Sequence, residues 1–307
     1  MKVKVWIALL AVYLVWGSTY LVIRFTVETL PPFLAAGLRF LASGVILLAW
    51  RRAAGDPWPT RRQWRAAALV GSLLLLGGNG LVSWAERTVP SGVAALVIGA
   101  VPMFMVLAEA LRPNGTRPAG GVVAGLAVGF AGIYLLVGPS ESTELPPWEL
   151  PGLIALLVAG LMWAIGSVLG RTSDLPQSAL MATGAEMLVG GLALLAASLI
   201  IGEWRGFSFD RVSPDSWWGL AYLIAFGSMV GFVAYAWLLQ NAPLPLVATY
   251  AYVNPLVALV LGNWFGQEPL TPRLLSAAAI IVGSVVFING AGRARDPRKP
   301  APLAVGE

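Results

Sequence analysis

The sequence has neither cysteine nor histidine among its 307 residues. Because zinc sites and the usual acyl-transfer triads depend on these side chains, the composition excludes both kinds of centre. Lysine occurs at three positions only, and none of them ends a glycine-rich phosphate-binding loop: Lys2, Lys4 and Lys299. No motif for nucleotide hydrolysis is therefore present. We expect a protein that is not an enzyme and has no metal site and no cofactor.

Charged residues are also scarce. They make up 11% of the chain, whereas apolar residues make up 58%. The apolar residues form ten segments long enough for a helix to cross a hydrocarbon core, at residues 4–26, 33–50, 66–85, 91–111, 119–138, 151–171, 178–200, 216–239, 245–265 and 274–291. Because lipid cannot satisfy backbone polar groups, each segment is expected to be helical. The sequence predicts an all-α integral membrane protein with ten transmembrane helices.

The second half of the chain resembles the first. A shift of 147 residues aligns Trp16 with Trp163, and a shift of 153 residues aligns Pro102 with Pro255. We predict two five-helix repeats and a tail: residues 1–146 with helices 1–5 and a periplasmic linker, residues 147–291 with helices 6–10, and a disordered cytoplasmic segment at 292–307. Since five is an odd number, the second repeat is expected to be inverted in the membrane relative to the first.

The basic residues predict the orientation. The two termini and the loops on their side hold 14 lysines and arginines, while the opposite side has five: Arg24, Arg87, Arg205, Arg211 and Arg273. Positively charged loops stay in the cytoplasm, so both termini are predicted to be cytoplasmic in a multi-pass inner-membrane protein. The net charge of +5 follows from this bias and does not indicate nucleic-acid binding.

Helices 1 and 6 carry matching small and aromatic residues. Trp16 and Tyr20 belong to helix 1, and Trp163 and Ser167 belong to helix 6. Small residues beside a tryptophan allow two helices to pack closely, so these positions predict either a packing contact at the pseudo-symmetry axis or the walls of a substrate cavity.

Polar residues follow one face of helix 3, where Asn79 and Ser83 lie, and Tyr235 occupies the equivalent face of helix 8. Polar groups in lipid must face protein or water. Two interpretations remain open: hydrogen bonding between helices, or the lining of a pore.

Helices 4 and 9 contain matched prolines, Pro102 and Pro255. Each removes a backbone donor and frees a carbonyl one turn earlier. Interruptions at corresponding places in two halves indicate a binding site at the membrane midplane, although a purely structural kink is the alternative. Close to these prolines, Gly99, Tyr250 and Asn254 are further candidates for the substrate cavity.

Three ionisable residues fall within predicted spans: Arg39, Glu109 and Glu186. Each is expected to have a neutralising partner or access to water. For Arg39 and Glu109 we expect a structural role, with Arg112 or Arg117 neutralising Glu109. For Glu186, a role as a proton-coupling carboxylate is a possible alternative.

Several motifs together resemble the drug/metabolite transporter superfamily, EamA type. They are Trp16-Gly17-Ser18-Thr19, Leu38-Arg39-Phe40 and the segment 266–272, Gly-Gln-Glu-Pro-Leu-Thr-Pro. The resemblance covers residues 3–291. It implies a ten-helix basket in which helices 1, 3, 4, 6, 8 and 9 surround a central cavity and helices 5 and 10 stand outside. The first half departs from the last motif, because it has no acidic residue equivalent to Glu268.

These observations predict an inner-membrane exporter of small organic metabolites that works by alternating access. The cavity is expected to hold no fixed charge, which favours amino acids or related zwitterionic or neutral solutes. An uncoupled facilitator or channel, a multidrug or toxic-compound exporter, and an importer are the alternatives. The expected partners are the solute and membrane lipid, with the protein a monomer. A glycine repeat at Gly121, Gly125 and Gly129 suits either contact within the chain or a weak homodimer.

Overall fold

A computed structural model describes residues 2–112, 117–137, 149–242, 244–247 and 249–293, which form helices and turns and no β-strand. The main helices are α1 (Lys2–Val27), α2 (Pro32–Ala53), α3 (Arg61–Ala85), α4 (Ser91–Leu111), α5 (Gly120–Val137), α6 (Glu149–Gly170), α7 (Ala179–Ile200), α8 (the consecutive runs Pro214–Tyr222, Leu223–Val230 and Gly231–Asn241), α9 (Tyr250–Gly266) and α10 (Pro272–Arg293). A four-residue helix, Leu244–Val247, precedes α9.

Seven helices within the described ranges are long and apolar enough to cross a membrane: Val3–Val27, Pro32–Ala53, Arg61–Ala85, Ser91–Leu111, Leu150–Gly170, Ala179–Ile200 and Pro214–Leu239. Gly120–Leu136 and Pro272–Ile288 are shorter apolar helices. The all-helical membrane architecture is therefore confirmed, while ten crossings and the inversion of the repeats stay predictions. The predicted linker from 138 to 148 and the tail from residue 294 onward lie outside the described residues.

Local sequence signals account for several helix boundaries. Thr60 and Gln63 form a reciprocal capping box at the start of α3, and the hydroxyls of Ser178 and Ser213 accept hydrogen bonds at the starts of α7 and α8. At the end of α9, Gln267 adopts a left-handed conformation with φ of 54°. This turn ends the helix and leads the chain directly to Glu268.

The third helix of each half contains a π-helical stretch. It covers Ser72–Gly80 in α3 and Leu223–Val230 in α8. A π-helix is rare and often occurs at functional sites, because its wider turn alters the direction of side chains and backbone carbonyls. Neither stretch was predicted from the sequence.

The two halves exchange their packing partners. Helix α1 packs against α8 and α9, and α6 packs in the same way against α3 and α4. Helices α2 and α7 lie side by side, as do α5 and α10. Each half therefore completes the packing of the other, as expected for related repeats that share one core.

Glycines allow the close approach of the paired helices. A Cβ atom at Gly44 would lie 2.5 Å from the backbone nitrogen of Leu188, and one at Gly125 would lie 2.7 Å from Ile288 Cγ1. The first contact joins α2 to α7 and the second joins α5 to α10. The glycine repeat of α5 is thus used for packing within the chain at Gly125.

Candidate functional site

An aromatic cluster lies where α1, α8 and α9 meet. The ring of Trp16 contacts Phe232, Tyr235 and Tyr250, with ring centroids 5.1, 5.2 and 5.3 Å away. Tyr235 and Tyr250 also contact each other at 5.5 Å. The cluster brings together three of the predicted cavity residues, all of them half-buried. Most of these pairs meet edge to face, and the Trp16–Tyr235 pair is tilted by 43°, both of which are favourable arrangements for aromatic rings.

The π-helical stretch of α8 holds the tryptophan of this cluster. Trp16 Nε1 donates a hydrogen bond to the carbonyl oxygen of Gly227 over 3.1 Å. The Trp16 ring also covers Gly231, where a Cβ atom would overlap the indole. Because the indole N–H needs an acceptor when it is buried, this bond fixes the ring against α8.

The second half repeats this contact with different surroundings. Trp163 of α6 covers Gly78 of α3, and a Cβ atom there would lie 2.8 Å from Trp163 Cε3. Trp163 packs beside a cluster that includes Phe104 and Ala164, and Tyr252 packs against the same cluster. The two tryptophans thus sit at equivalent positions and cover equivalent glycines, while their neighbours differ.

The remaining predicted polar residues do not form one continuous stripe. Asn79 lies in the π-helical stretch and approaches the carbonyl oxygen of Leu74 at 3.5 Å. Ser83 is buried and lines a small pocket further along α3. Tyr20 packs beside a separate cluster that includes Val82 and Ala85. Ser167 is half-buried on α6.

Helices α4 and α9 cross close to their prolines. Helix α4 is interrupted at Ala100, just before Pro102, whereas Pro255 lies inside the continuous helix α9. Gly99 packs against this second proline, since a Cβ atom there would lie 2.7 Å from Pro255 Cγ. Asn254 is 7% exposed, and its Oδ1 atom has no hydrogen-bond partner among the described residues. An unpaired buried amide oxygen is costly, so it is a candidate solute contact.

Helices α1, α3 and α9 end, and helices α2 and α4 begin, at the same end of the bundle. We call this end of the bundle the Arg24 end. Glu268 is 6% exposed here. Its Oε1 accepts hydrogen bonds from Arg24 Nη1 at 2.5 Å and the Ser91 backbone nitrogen at 2.7 Å, and its Oε2 accepts one from the Gly92 nitrogen at 2.9 Å. One carboxylate thus ties α1 to α9 and caps the N-terminus of α4, where the helix dipole favours a negative charge.

A second carboxylate has a similar role at the same end. Glu203, which follows α7, accepts hydrogen bonds from the backbone nitrogens of Phe33 and Leu34 at 3.1 and 2.9 Å. Ser198 Oγ also donates to it at 2.7 Å. Both acids come from the second half and cap helices of the first. Neither capping role was predicted from the sequence. The feature that could have indicated both is an acidic residue shortly after an apolar helix, at Glu203 and at Glu268.

Glu86 is the most isolated acid in this region. It follows the last residue of α3, is 2% exposed, and neither of its carboxylate oxygens has a hydrogen-bond partner among the described residues. The C-terminal end of a helix is electrostatically negative, and burial without a hydrogen bond disfavours a charged carboxylate.

The three ionisable residues predicted inside the membrane have different environments. Glu109 lies 3.4 Å from Arg112, so the expected neutralisation of Glu109 is observed. Glu186 is half-buried on α7. Arg39 is 5% exposed and lines the pocket of Ser83 together with Thr26. The small pocket at the Arg24 end therefore contains a guanidinium group, whereas the absence of fixed charge from the solute cavity stays a prediction.

Comparison with known proteins agrees with this architecture. The model of the EamA-like transporter family matches residues 3–138 and, a second time, residues 150–290. The chain belongs to the EamA-like transporter family. The resemblance found in the sequence is thereby confirmed, and the chain is a membrane transporter rather than an enzyme.

Alignments with individual relatives cover nearly the whole chain. The uncharacterized inner membrane transporter YedA of Escherichia coli K12 is 41% identical over 299 residues, which cover 97% of this chain and 94% of that protein. Protein PecM of Dickeya dadantii is 28% identical and covers 94% of this chain and 93% of its own. One solved crystal structure matches with a TM-score of 0.63 at 21% identity, covering 94% of this chain and 98% of that one. This last likeness concerns the fold alone, whereas the relatives support a multi-pass inner-membrane location.

Proposed function

We propose that this EamA-like transporter exports small organic solutes across the inner membrane, with amino acids or related zwitterionic compounds as the leading class. The observation that carries the proposal is the cluster of Trp16, Tyr235 and Tyr250 between the halves. Its rings offer apolar faces, and its two tyrosine hydroxyls add polar groups. A solute with an apolar side chain and polar ends suits such a surface.

We further propose that transport occurs by alternating access between two inverted halves whose termini are cytoplasmic. In this arrangement the Arg24 end faces the periplasm. The exchanged packing of α1 and α6 supports this proposal, because a rocking motion of one half changes the contacts of both. Trp16, Tyr20, Asn79, Ser83, Gly99, Trp163, Ser167, Tyr235, Tyr250 and Asn254 remain the proposed lining residues.

A solute-uptake screen in proteoliposomes tests the function. We expect the wild-type protein to transport one or more amino acids or related solutes, and Trp16→Ala to lose most of this activity. Trp58→Ala is the matched control, since Trp58 is exposed in the α2–α3 loop and 58% of its surface is accessible. Equal activity of the Trp16→Ala variant and the wild type would contradict a role for the aromatic cluster, and Trp163→Ala tests the equivalent position.

Coupling is tested by imposing a proton gradient on the same vesicles. Our sequence-based candidate for the coupling group is Glu186, which the Glu186→Gln change makes permanently neutral. If transport is coupled through this carboxylate, the variant exchanges solute at equal concentrations but no longer accumulates it against a gradient. If the wild type never accumulates solute, the protein is an uncoupled facilitator.

A further inference from the structure

Arg39 is a buried cation without an ion pair. No carboxylate of a described residue lies within 4.0 Å of its guanidinium group. Its Nε atom donates to Ser228 Oγ over 3.0 Å, and the guanidinium lies over the Phe40 ring, 4.6 Å from its centroid. These contacts hold the side chain in place and use one of its five N–H donors. Its two terminal amino groups make no hydrogen bond to another described residue.

The nearby acids do not balance this charge by direct contact. Glu268 is fully engaged with Arg24 and with the N-terminus of α4. Glu86 interacts with Arg39 only through space, because its oxygens have no hydrogen-bond partner among the described residues. Removing a charge from water without a bonded counter-charge is costly. The terminal amino groups of Arg39 are therefore free to donate to an anionic group, because Glu86 is not hydrogen-bonded to them.

Arg39 lies between the aromatic cluster and the pocket at the Arg24 end. Gly227 connects them: its carbonyl oxygen accepts the hydrogen bond of Trp16, and a Cβ atom on it would lie 3.1 Å from Arg39 Nη2. On its other side, Arg39 lines the pocket together with Ser83 and Thr26. The Ser83 hydroxyl makes no hydrogen bond to another described residue, so it is a second available donor.

We propose that Arg39 binds the carboxylate group of the transported solute, with Ser83 as an additional donor, while the aromatic cluster contacts the apolar part. This proposal rests on the proposed function and narrows its substrate class to solutes with a free carboxylate. A guanidinium group suits this role because its planar fork matches the two oxygens of a carboxylate.

Pairs of amino acids and their primary amides test the proposal, because the two members differ only at the carboxylate. Uptake by proteoliposomes is measured for leucine and leucinamide, and then for each further amino acid that the wild type transports. Loss of a charge-assisted hydrogen bond predicts that the wild type prefers the acid by roughly 10- to 100-fold in kcat/KM. Arg39→Gln is expected to abolish this preference by slowing transport of the acid but not of the amide.

Matched variants separate binding from folding. Arg62→Gln makes the same substitution at an arginine whose side chain is 84% exposed, and it is expected to keep the preference for the acid. Arg39→Lys keeps the charge but lacks the planar fork, so it should retain only part of the preference. Ser83→Ala removes one donor and should lower kcat/KM for the acid several-fold while leaving the amide unaffected.

The possible results distinguish carboxylate binding by Arg39 from the broader proposal that the protein exports small organic solutes. If the wild type transports amino acids and their amides equally well, or if Arg39→Gln and Ser83→Ala keep the full preference, the role of Arg39 is refuted and the transport function stands. If the wild type transports neither member of any pair, both proposals fail. If Arg39→Gln does not fold, the lysine and Ser83 variants decide the outcome.

Discussion

Replacing Glu268 by glutamine should destabilise the protein more than any other conservative change at the Arg24 end. The substitution keeps the shape of the side chain but removes its negative charge. It also exchanges one acceptor oxygen for an amide nitrogen, which points a donor at Arg24 or at the backbone N–H groups that begin α4. At least one of three hydrogen bonds is therefore lost, and a repulsive donor pair replaces it.

The size of the effect follows from these contacts. Loss of a helix N-cap costs about 0.5–2 kcal/mol, and loss of a hydrogen bond to a charged group costs about 1.5–3 kcal/mol. Arg24 is 34% exposed, so water compensates part of its lost ion pair, and the full penalty of a buried pair does not apply. We expect the free energy of unfolding to fall by about 2–4 kcal/mol.

Thermal unfolding in detergent micelles, followed by the fluorescence of the 13 tryptophans, measures this change. The expected decrease in Tm is at least about 4 °C. Glu203→Gln is the matched control, because Glu203 also caps a helix. Among the described residues no arginine forms an ion pair with Glu203, so the decrease in Tm should be smaller for this variant. If Glu268→Gln unfolds at the wild-type temperature, the cap and ion pair do not stabilise the bundle as argued.

Further predictions concern the aromatic cluster and the α2–α3 loop. Gly231→Ala should displace the Trp16 ring, because a Cβ atom would overlap the indole; we expect reduced transport and altered tryptophan fluorescence, and unchanged values of both would refute the close contact. Hydrogen bonds from Arg51, and secondarily from Ser178, lower the pKa of Asp56 below its usual value. A lowered carboxyl pKa stabilises the fold above the unfolded-state pKa, and this contribution disappears as the pH falls through the folded-state pKa. The Tm of Asp56→Asn should therefore lie slightly below that of the wild type at neutral pH and meet it in acid, whereas a constant difference would contradict this cause.

The sequence predicted the helical architecture well because hydrophobicity alone determines it. Every described helix from α1 to α10 overlaps one of the predicted apolar segments. The alignment of Trp16 with Trp163 likewise identified two positions that turned out to contact equivalent glycines, Gly231 and Gly78. In lipid, long apolar segments have few alternatives to the helix, so such patterns are easily interpreted.

The polar contacts at the Arg24 end could not be predicted in the same way. Glu268 and Arg24 are 244 positions apart, and their contact depends on how α9 packs against α1. Because the first half lacks an acid equivalent to Glu268, the sequence argued against a symmetric acidic pair at the two loops and assigned Glu268 no role of its own. The structure instead gives this residue a function that needs no symmetric partner, because it caps a single helix. The π-helical stretches were missed because their residues, Ser72–Gly80 and Leu223–Val230, resemble ordinary apolar helix.

The exchanged packing of α1 also affects how the protein is made. The side chains of Tyr13, Trp16, Ser18 and Arg24 all bond to partners in the second half: Thr249, Gly227, Tyr222 and Glu268. During synthesis α1 enters the bilayer long before α8 and α9 leave the ribosome. The polar side chains of α1 therefore have no native hydrogen-bond partners until nearly the whole polypeptide has been inserted. Until then they are exposed to lipid or contact other parts of the chain. A chain truncated before α8 would keep these side chains permanently unsatisfied, which makes incomplete products recognisable to membrane quality control.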